Sequence, residues 1–160
     1  MSTIAPGTVI GHIHLKVSDI DRALQFYCDV LGFELVTRMG EQAAFVSAGG
    51  YHHHIGLNTW ESAGASPPPP GHTGLYHFAI LYPKRKDLAD ALKRLVTAGY
   101  PISGASDHGV SEAIYLEDPD GNGIELYWDR AKKDWPKGKD GKLAMTAAPL
   151  DLKNLLTEED

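Results

Sequence analysis

Histidine is the residue type best suited to carry chemistry in this sequence. The chain has 160 residues and 8 histidines, and imidazole is the commonest transition-metal ligand and the commonest proton carrier near neutral pH. His12 and His77 occupy equivalent places in two similar segments of alternating apolar residues. Glu125 lies between Ile124 and Leu126, so strand alternation would turn its carboxylate to the opposite face from these neighbours. Two imidazoles and one carboxylate form a ligand set for a divalent metal with open coordination positions, and iron(II) matches it best.

Spacing alone leaves a simpler interpretation open for the same three residues. His12 and His77 are also compatible with ordinary core or interface histidines, and Glu125 with a carboxylate that pairs with a surface lysine. Histidines separated by tens of residues are a weak signal, so the choice depends on how the fold positions them.

An internal repeat predicts the elements that position these side chains. Residues 11–17 and 76–82 each predict a strand, and an amphipathic helix follows each of them and ends at Gly32 or Gly99. Three more strands are then predicted in each half, at residues 34–39, 43–48 and 52–59, and at 102–105, 113–117 and 123–128. The fold class is therefore α+β, with two tandem βαβββ modules forming one open barrel-like sheet around the metal site.

The repeat also defines the domain organisation. We expect a single domain at residues 9–130, with module one at about 9–60 and module two at about 73–130. A proline-rich linker at 62–71 joins the modules as an extended spacer, and residues 131–160 are predicted to be a C-terminal appendage. The first helix is predicted to begin with Ser18 as its N-cap and Asp21 as the N3 partner.

Composition excludes several classes of partner. The formal net charge is -6, and the chain lacks the long lysine and arginine clusters with which proteins bind nucleic acids or anionic membranes. Cys28 is the only cysteine, so no intrachain disulfide can form, which favours a reducing compartment. No apolar run approaches the roughly 20 residues of a membrane helix. We therefore predict a cytoplasmic protein that binds neither nucleic acid nor membranes.

Four segments of this sequence resemble the vicinal-oxygen-chelate superfamily, which includes glyoxalase I, the extradiol dioxygenases and the bleomycin and fosfomycin resistance proteins. The resemblance covers about residues 9 to 130. The segments are Gly11-His12-Ile13 through Val17-Ser18-Asp19, Gly32-Phe33-Glu34-Leu35, Tyr76-His77-Phe78-Ala79-Ile80, and Asp118-Pro119-Asp120-Gly121-Asn122-Gly123-Ile124-Glu125. The resemblance implies that His12, His77 and Glu125 are the metal ligands.

The repeat favours one branch of this superfamily. Aligning Ile55 with Ile124 places Gly56 opposite Glu125, so the symmetric fourth ligand position has no side chain. Glyoxalase I-like proteins usually fill that position, whereas three protein ligands match the extradiol dioxygenases, which are closest in their one-domain, catechol 2,3-dioxygenase-like form. The resemblance thus implies Fe(II), with Mn(II), Zn(II) or Ni(II) as alternatives.

The same resemblance implies three catalytic residues. His54 matches the histidine that serves as acid and base for the substrate hydroxyl, Tyr115 the tyrosine that hydrogen-bonds the substrate oxygen, and His108 a histidine that reaches the substrate. The alternatives are a solvated histidine cluster at residues 52–54 and a tyrosine that only packs on its strand. His53 is expected on the opposite strand face from His54, and His52 on the same face. His14 is expected beside the metal ligands, and His72 has no predicted role.

The resemblance therefore implies an extradiol ring-cleaving dioxygenase of aromatic catabolism. Its partners would be a small aromatic diol and O2, and the single pair of modules predicts a homodimer. Two alternatives stay open. One is a glyoxalase-like, metal-dependent isomerase or lyase of the same fold, and the other is a non-catalytic drug-binding protein of the bleomycin-resistance type.

Overall fold

The computed structural model describes residues 3–159 of the chain. These residues form two compact units that meet between Pro67 and Pro68. The boundary falls inside the predicted proline-rich linker, so each unit contains one of the two predicted modules.

The first unit has the order of elements predicted by the repeat. It contains β1 (Ile13–Lys16), α1 (Ile20–Leu24), a π-helical continuation (Gln25–Val30), β2 (Glu34–Met39), β3 (Ala43–Ser47) and β4 (Ile55–Asn58). The strands lie in the order β1-β4-β3-β2, with β1 parallel to β4 and the other pairs antiparallel. Alternation buries Leu15 on one face of β1, while β4 is buried along its whole length.

Helix α1 begins one residue later than predicted. Its N-cap is Asp19, whose carboxylate accepts a hydrogen bond from the backbone N–H of Arg22 at 2.8 Å. The prediction of Ser18 as N-cap was wrong because Ser18, Asp19 and Asp21 are all capping residue types, and only the backbone conformation selects among them. The helical segment ends at Gly32, whose φ of 88° suits a residue without a Cβ.

The second unit repeats the arrangement. It contains β5 (Phe78–Leu81), α2 (Arg85–Thr97), β6 (Gly104–Asp107), β7 (Ser111–Glu117), β8 (Gly123–Asp129), β9 (Ala148–Pro149) and α3 (Leu152–Leu156). The sheet has the order β5-β8-β7-β6-β9, with β5 parallel to β8. Leu88, Leu92 and Leu95 of α2 are buried, as their helical spacing predicts.

The α+β class and the two tandem βαβββ modules are confirmed. The described strands form two open sheets of four and five strands, one in each unit, where we expected a single barrel-like sheet. The reason is that β1 and β5 each pair with the fourth strand of their own module, which completes a separate sheet.

The C-terminal extension packs onto the rest of the second unit. Strand β9 pairs with β6, α3 contacts α2, and Leu155 of α3 is fully buried. Arg85 at the start of α2 forms an ion pair with Glu158 and donates to Asn154 Oδ1 at 3.0 Å. Within residues 3–159, no helix is both long and apolar enough to cross a membrane.

A buried carboxylate joins several of these elements. Glu112 of β7 accepts from Arg85 Nε and from Arg130 Nη2, each at 2.7 Å. Arg130 also forms a two-pronged pair with Asp107 of β6 at 2.7 and 2.8 Å. Because charge-assisted, forked hydrogen bonds are the strong ones, Glu112 ties α2, β6 and the end of β8 together.

Candidate functional site

The parallel strands β5 and β8 bring His77 and Glu125 together. His77 immediately precedes β5, and Glu125 lies in the middle of β8, opposite Ala79. His77 is two residues from Ala79, so both side chains project from the same face of the sheet. His77 Nε2 lies 3.1 Å from Glu125 Oε2, with side-chain exposures of 32% and 15%. The pair is therefore sheltered, and solvent or a small molecule can still reach it.

Gly123 allows the close approach of these two strands. A Cβ at this position would lie 2.1 Å from the backbone oxygen of Tyr76 and 3.1 Å from the Cβ of His77. Any residue other than glycine at the start of β8 would push away the segment that carries His77.

Tyr115 and His108 continue the polar contacts on the other side of Glu125. Tyr115 of β7 is paired with Glu125, and its hydroxyl donates to Glu125 Oε1 at 3.1 Å. His108, in the turn between β6 and β7, places Nε2 2.6 Å from the Tyr115 oxygen. Burial raises the pKa of Tyr115 to about 12, and the neighbouring Glu125 carboxylate adds to the shift. Tyr115 is therefore a protonated hydroxyl at neutral pH.

Four of the predicted site residues thus form one line within the second unit. The order is His77, Glu125, Tyr115 and His108, joined by contacts of 3.1, 3.1 and 2.6 Å. Tyr115 and Glu125 are paired positions of β7 and β8, and His77 immediately precedes β5, which pairs with β8. This arrangement explains how residues far apart in sequence meet on one sheet face.

The first unit holds the remaining predicted residues. His12 immediately precedes β1, as His77 precedes β5, and its ring lies 4.4 Å from the ring of His53, centroid to centroid. Burial lowers the pKa of His53, and the imidazoles of His12 and His52 lower it further. The Nδ1 atoms of His52 and His53 are 2.7 Å apart. The imidazole that contacts His12 is therefore that of His53.

His54 is directed toward β3. Its Nδ1 lies 3.1 Å from Ser47 Oγ and accepts from the Ala48 backbone N–H at 3.3 Å. The predicted strand at residues 52–59 began too early, because β4 starts at Ile55. Strand alternation therefore does not order the side chains of residues 52–54, and the facing of His53 and His54 stays a prediction. The catalytic role of His54 stays a prediction.

The strand register supports the equivalence of Gly56 and Glu125. Gly56 is paired with His14 in the first unit as Glu125 is paired with Ala79 in the second. A Cβ at Gly56 would lie 2.8 Å from His14 Nδ1, so the His14 ring occupies the space above this glycine. Burial lowers the pKa of His14, and His12 lowers it further. The position symmetric to Glu125 is thus covered by an imidazole.

The donor chemistry of the second unit fits a divalent cation in part. Bonds of about 2.0 to 2.2 Å to a shared ion place neighbouring nitrogen and oxygen ligands roughly 3 Å apart, close to the His77–Glu125 separation of 3.1 Å. Among residues 3–159, no group of three or more histidine, cysteine, aspartate or glutamate side chains converges on one metal position. His77 and Glu125 come together, and the role of His12 as third ligand stays a prediction.

Two neighbours of the site were not predicted. Gly123 belongs to the quoted turn segment, where its proximity to Glu125 was a usable signal. Thr146 contacts His108 through its backbone, and no sequence pattern marks such a contact. His72 contacts only the nearby Pro69 carbonyl, with Nδ1 at 3.1 Å, among the hydrogen bonds of the described residues.

Comparison with known proteins relates this chain to a known family. Residues 9–126 match the family model described as Glyoxalase/Bleomycin resistance protein/Dioxygenase superfamily. The chain is 43% identical over 159 residues to a protein of Bacillus subtilis named catechol-2,3-dioxygenase, covering 99% of this chain and 54% of that protein. It is 31% identical over 132 residues to a probable lactoylglutathione lyase of Synechocystis, covering 77% of this chain and 97% of that protein.

The fold likeness extends to solved structures. A glyoxalase/dioxygenase from Nostoc punctiforme superposes with a TM-score of 0.64 at 23% identity, covering 82% of this chain and 99% of that one. This likeness concerns the fold alone. The chain spans about half to two thirds of the length of the dioxygenase relatives that it matches first, 54%, 62% and 63%.

Proposed function

Because the chain belongs to the glyoxalase/bleomycin resistance protein/dioxygenase superfamily, we propose that it is a metal-dependent extradiol dioxygenase that opens a catechol-type ring with O2. The observation that supports this function is the line of contacts from His77 through Glu125 and Tyr115 to His108. It combines two metal-type donors with a protonated hydroxyl and an imidazole. Such a set serves a reaction that needs both a Lewis acid and proton transfer.

The metal would be held by His77 and Glu125 together with His12. Two imidazoles and a carboxylate leave coordination positions open, which suits Fe(II) first, with Mn(II), Zn(II) and Ni(II) as alternatives. When bound, such an ion would supply Lewis acidity and a route for electrons between the diol and O2. The chain's own residues then have to orient the diol and move its protons.

Tyr115 is suited to stabilise a substrate oxygen. Its raised pKa of about 12 keeps its proton in place at neutral pH, and Glu125 and His108 fix its hydroxyl from two sides. A positioned donor of this kind stabilises negative charge that develops on an oxygen during the reaction, once its proton turns from Glu125 to the substrate. His108 would exchange a proton with the same hydroxyl.

An imidazole of residues 52–54 would accept the proton of the diol. The family resemblance favours His54 for this role, whereas the contact of the His53 ring with the His12 ring, 4.4 Å between centroids, favours His53. A neutral imidazole is the form required, and the lowered pKa of His53 supplies it. Separate His53→Ala and His54→Ala variants decide the assignment, because the larger loss of kcat follows the proton acceptor.

Oxygen uptake tests the proposed reaction. The protein is loaded with Fe(II) under anaerobic conditions and is then given a catechol and O2. It should consume one O2 per catechol, and a mass spectrum should show a product heavier than the catechol by two oxygen atoms. Tyr115→Phe should lower kcat by about 10²-fold. Tyr100→Phe is the matched control, because the Tyr100 hydroxyl donates to the Glu117 carbonyl outside the line of contacts. Metal-loaded protein that consumes no O2 with any catechol would refute the function.

A lyase is the second candidate function. It is favoured by the similarity to the probable lactoylglutathione lyase of Synechocystis, because the match covers 97% of that protein. Formation or breakdown of lactoylglutathione by Zn(II)- or Ni(II)-loaded protein, followed by chromatography, separates the two functions.

A homodimer in the cytoplasm, with a role in aromatic catabolism, is part of the proposal. Light scattering tests the dimer.

A further inference from the structure

The C-terminal extension contacts the turn that carries His108. The Thr146 backbone N–H donates to the His108 carbonyl at 3.0 Å, and Thr146 Oγ1 donates to the Asp107 carbonyl at 3.3 Å. Just beyond Thr146, Ala148 and Pro149 of β9 pair with Asp107 and Ser106 of β6. The extension therefore adds the edge strand β9 to the sheet, next to the turn that carries His108.

The same residue also contacts the His108 ring. His108 Nδ1 lies 2.9 Å from the Thr146 carbonyl oxygen. A carbonyl oxygen only accepts hydrogen bonds, so Nδ1 must carry the proton in this contact. In a neutral imidazole the other nitrogen, Nε2, then has a free lone pair, and this atom lies 2.6 Å from the Tyr115 hydroxyl. The hydroxyl has a single proton, so at any one time it donates either to His108 Nε2 or to Glu125 Oε1.

We infer that Thr146 is a positioning residue whose carbonyl holds His108 in the Nδ1–H tautomer and aims its Nε2 at Tyr115. The inference deepens the proposed function and rests on it, because His108 and Tyr115 are the groups proposed to act on the substrate. Thr146 itself touches neither the substrate nor the metal position in this scheme. It acts through His108.

The segment around Thr146 is held firmly enough to serve this purpose. A Cβ at Gly109, next to His108, would lie 2.8 Å from Pro136 Cγ and 3.3 Å from Thr146 Oγ1, so the extension packs closely on the turn. Upstream, Trp135 Nε1 donates to the Arg130 carbonyl at 2.8 Å. Downstream, the buried Leu155 fixes α3. Thr146 thus lies between two anchored points.

The alternative is that the extension merely covers the edge of β6, since exposed strand edges are commonly protected in this way. A purely structural strand makes no demand on the tautomer of His108. The tautomer is therefore the readout that separates positioning from edge protection, and it can be measured in metal-free protein without reference to activity.

Long-range ¹H–¹⁵N correlation spectra of protein labelled at histidine nitrogen measure this tautomer. The His108 signals are assigned by their loss in His108→Gln. We expect His108 to be protonated at Nδ1 in the wild type, in contrast to the Nε2–H form that predominates for free neutral histidine. A wild-type His108 protonated at Nε2 alone would overturn the inference.

Two substitutions at one position extend the test. Thr146→Pro removes the N–H that anchors the segment, whereas Thr146→Val keeps both backbone groups and loses only the hydroxyl. Thr146→Pro should shift His108 toward Nε2–H and lower kcat by roughly threefold to tenfold, the value of one hydrogen bond, with KM nearly unchanged. Thr146→Val should keep the wild-type tautomer.

Equal tautomers in the two variants would contradict positioning. If Thr146→Pro does not fold, the wild-type and Thr146→Val spectra still decide the question. Failure of the proposed function is distinguishable from failure of this inference. A protein that consumes no O2 but has His108 protonated at Nδ1 would refute the dioxygenase function and would leave the positioning role of Thr146 intact.

Discussion

Gly123→Ala should damage the candidate site without removing any of its polar groups. The added Cβ would lie 2.1 Å from the Tyr76 backbone oxygen, whereas non-bonded contacts of a Cβ with a heavy atom are essentially never shorter than 3.0 Å. The segment before β5 must therefore move by about 1 Å. His77 belongs to that segment, so the 3.1 Å separation between its Nε2 and Glu125 Oε2 cannot be kept.

The magnitude follows from two opposing effects. Overpacking lowers the free energy of unfolding by about 1 to 3 kcal/mol. Alanine also reduces the conformational entropy of the unfolded chain relative to glycine, which raises the free energy of unfolding by roughly 0.5 to 1 kcal/mol. We expect a net loss of about 1 to 2 kcal/mol in the free energy of unfolding. A displacement of about 1 Å at a reacting or coordinating group costs on the order of 10²-fold. Metal affinity should therefore fall by about 2.8 kcal/mol in binding free energy, somewhat more than the free energy of unfolding.

Chelator competition measures the metal affinity, and urea denaturation measures the free energy of unfolding. Gly104→Ala is the matched control, because it lies in the same sheet and a Cβ there meets nothing within 4 Å. This control should bind metal as the wild type does and should unfold at the same or a slightly higher urea concentration. Wild-type metal affinity in Gly123→Ala would refute the dependence of the site on this close approach.

The remaining predictions concern other parts of the two units. The pKa of Tyr115 is raised to about 12, so the contribution of this group to stability is complete below pH 10 and is lost as the pH rises toward 12. Between these pH values, the free energy of unfolding measured in urea should therefore fall less for Tyr115→Phe than for the wild type. Glu112→Gln removes the buried charge shared by two guanidinium groups and should cost about 3 kcal/mol, against less than about 0.5 kcal/mol for the control Glu61→Gln at an exposed ion pair. Gly56→Glu should not raise metal affinity in chelator competition, because the His14 ring occupies that space; tighter binding would contradict this placement.

The duplicated pattern predicted much of the fold and part of the site. Hydrophobic periodicity was sufficient for α1 and α2, and the strand register matched Gly56 with Glu125 as the repeat had indicated. That success has a physical reason, because strands that occupy the same place in two modules must present equivalent residues to equivalent neighbours. The positions of His77 and Glu125 on one face followed from the same alternation.

Other features could not be predicted because they leave no periodic signal. Three consecutive histidines at residues 52–54 contain no alternation of apolar and polar side chains, so the start of β4 at Ile55 was not visible. The contact between Thr146 and His108 depends on a backbone carbonyl, which every residue type possesses. Contacts of that kind are determined by the path of the chain rather than by side-chain identity.

Metal content tests the central claim most directly. Wild-type protein loaded with Fe(II) without oxygen, then desalted and analysed by mass spectrometry of the metal, should hold one ion per chain. His12→Ala, His77→Ala and Glu125→Gln should each lose that ion, whereas the control His72→Ala, whose ring contacts the Pro69 carbonyl, should retain it. Equal metal content in all five proteins would contradict the assignment of His12, His77 and Glu125 as the ligands.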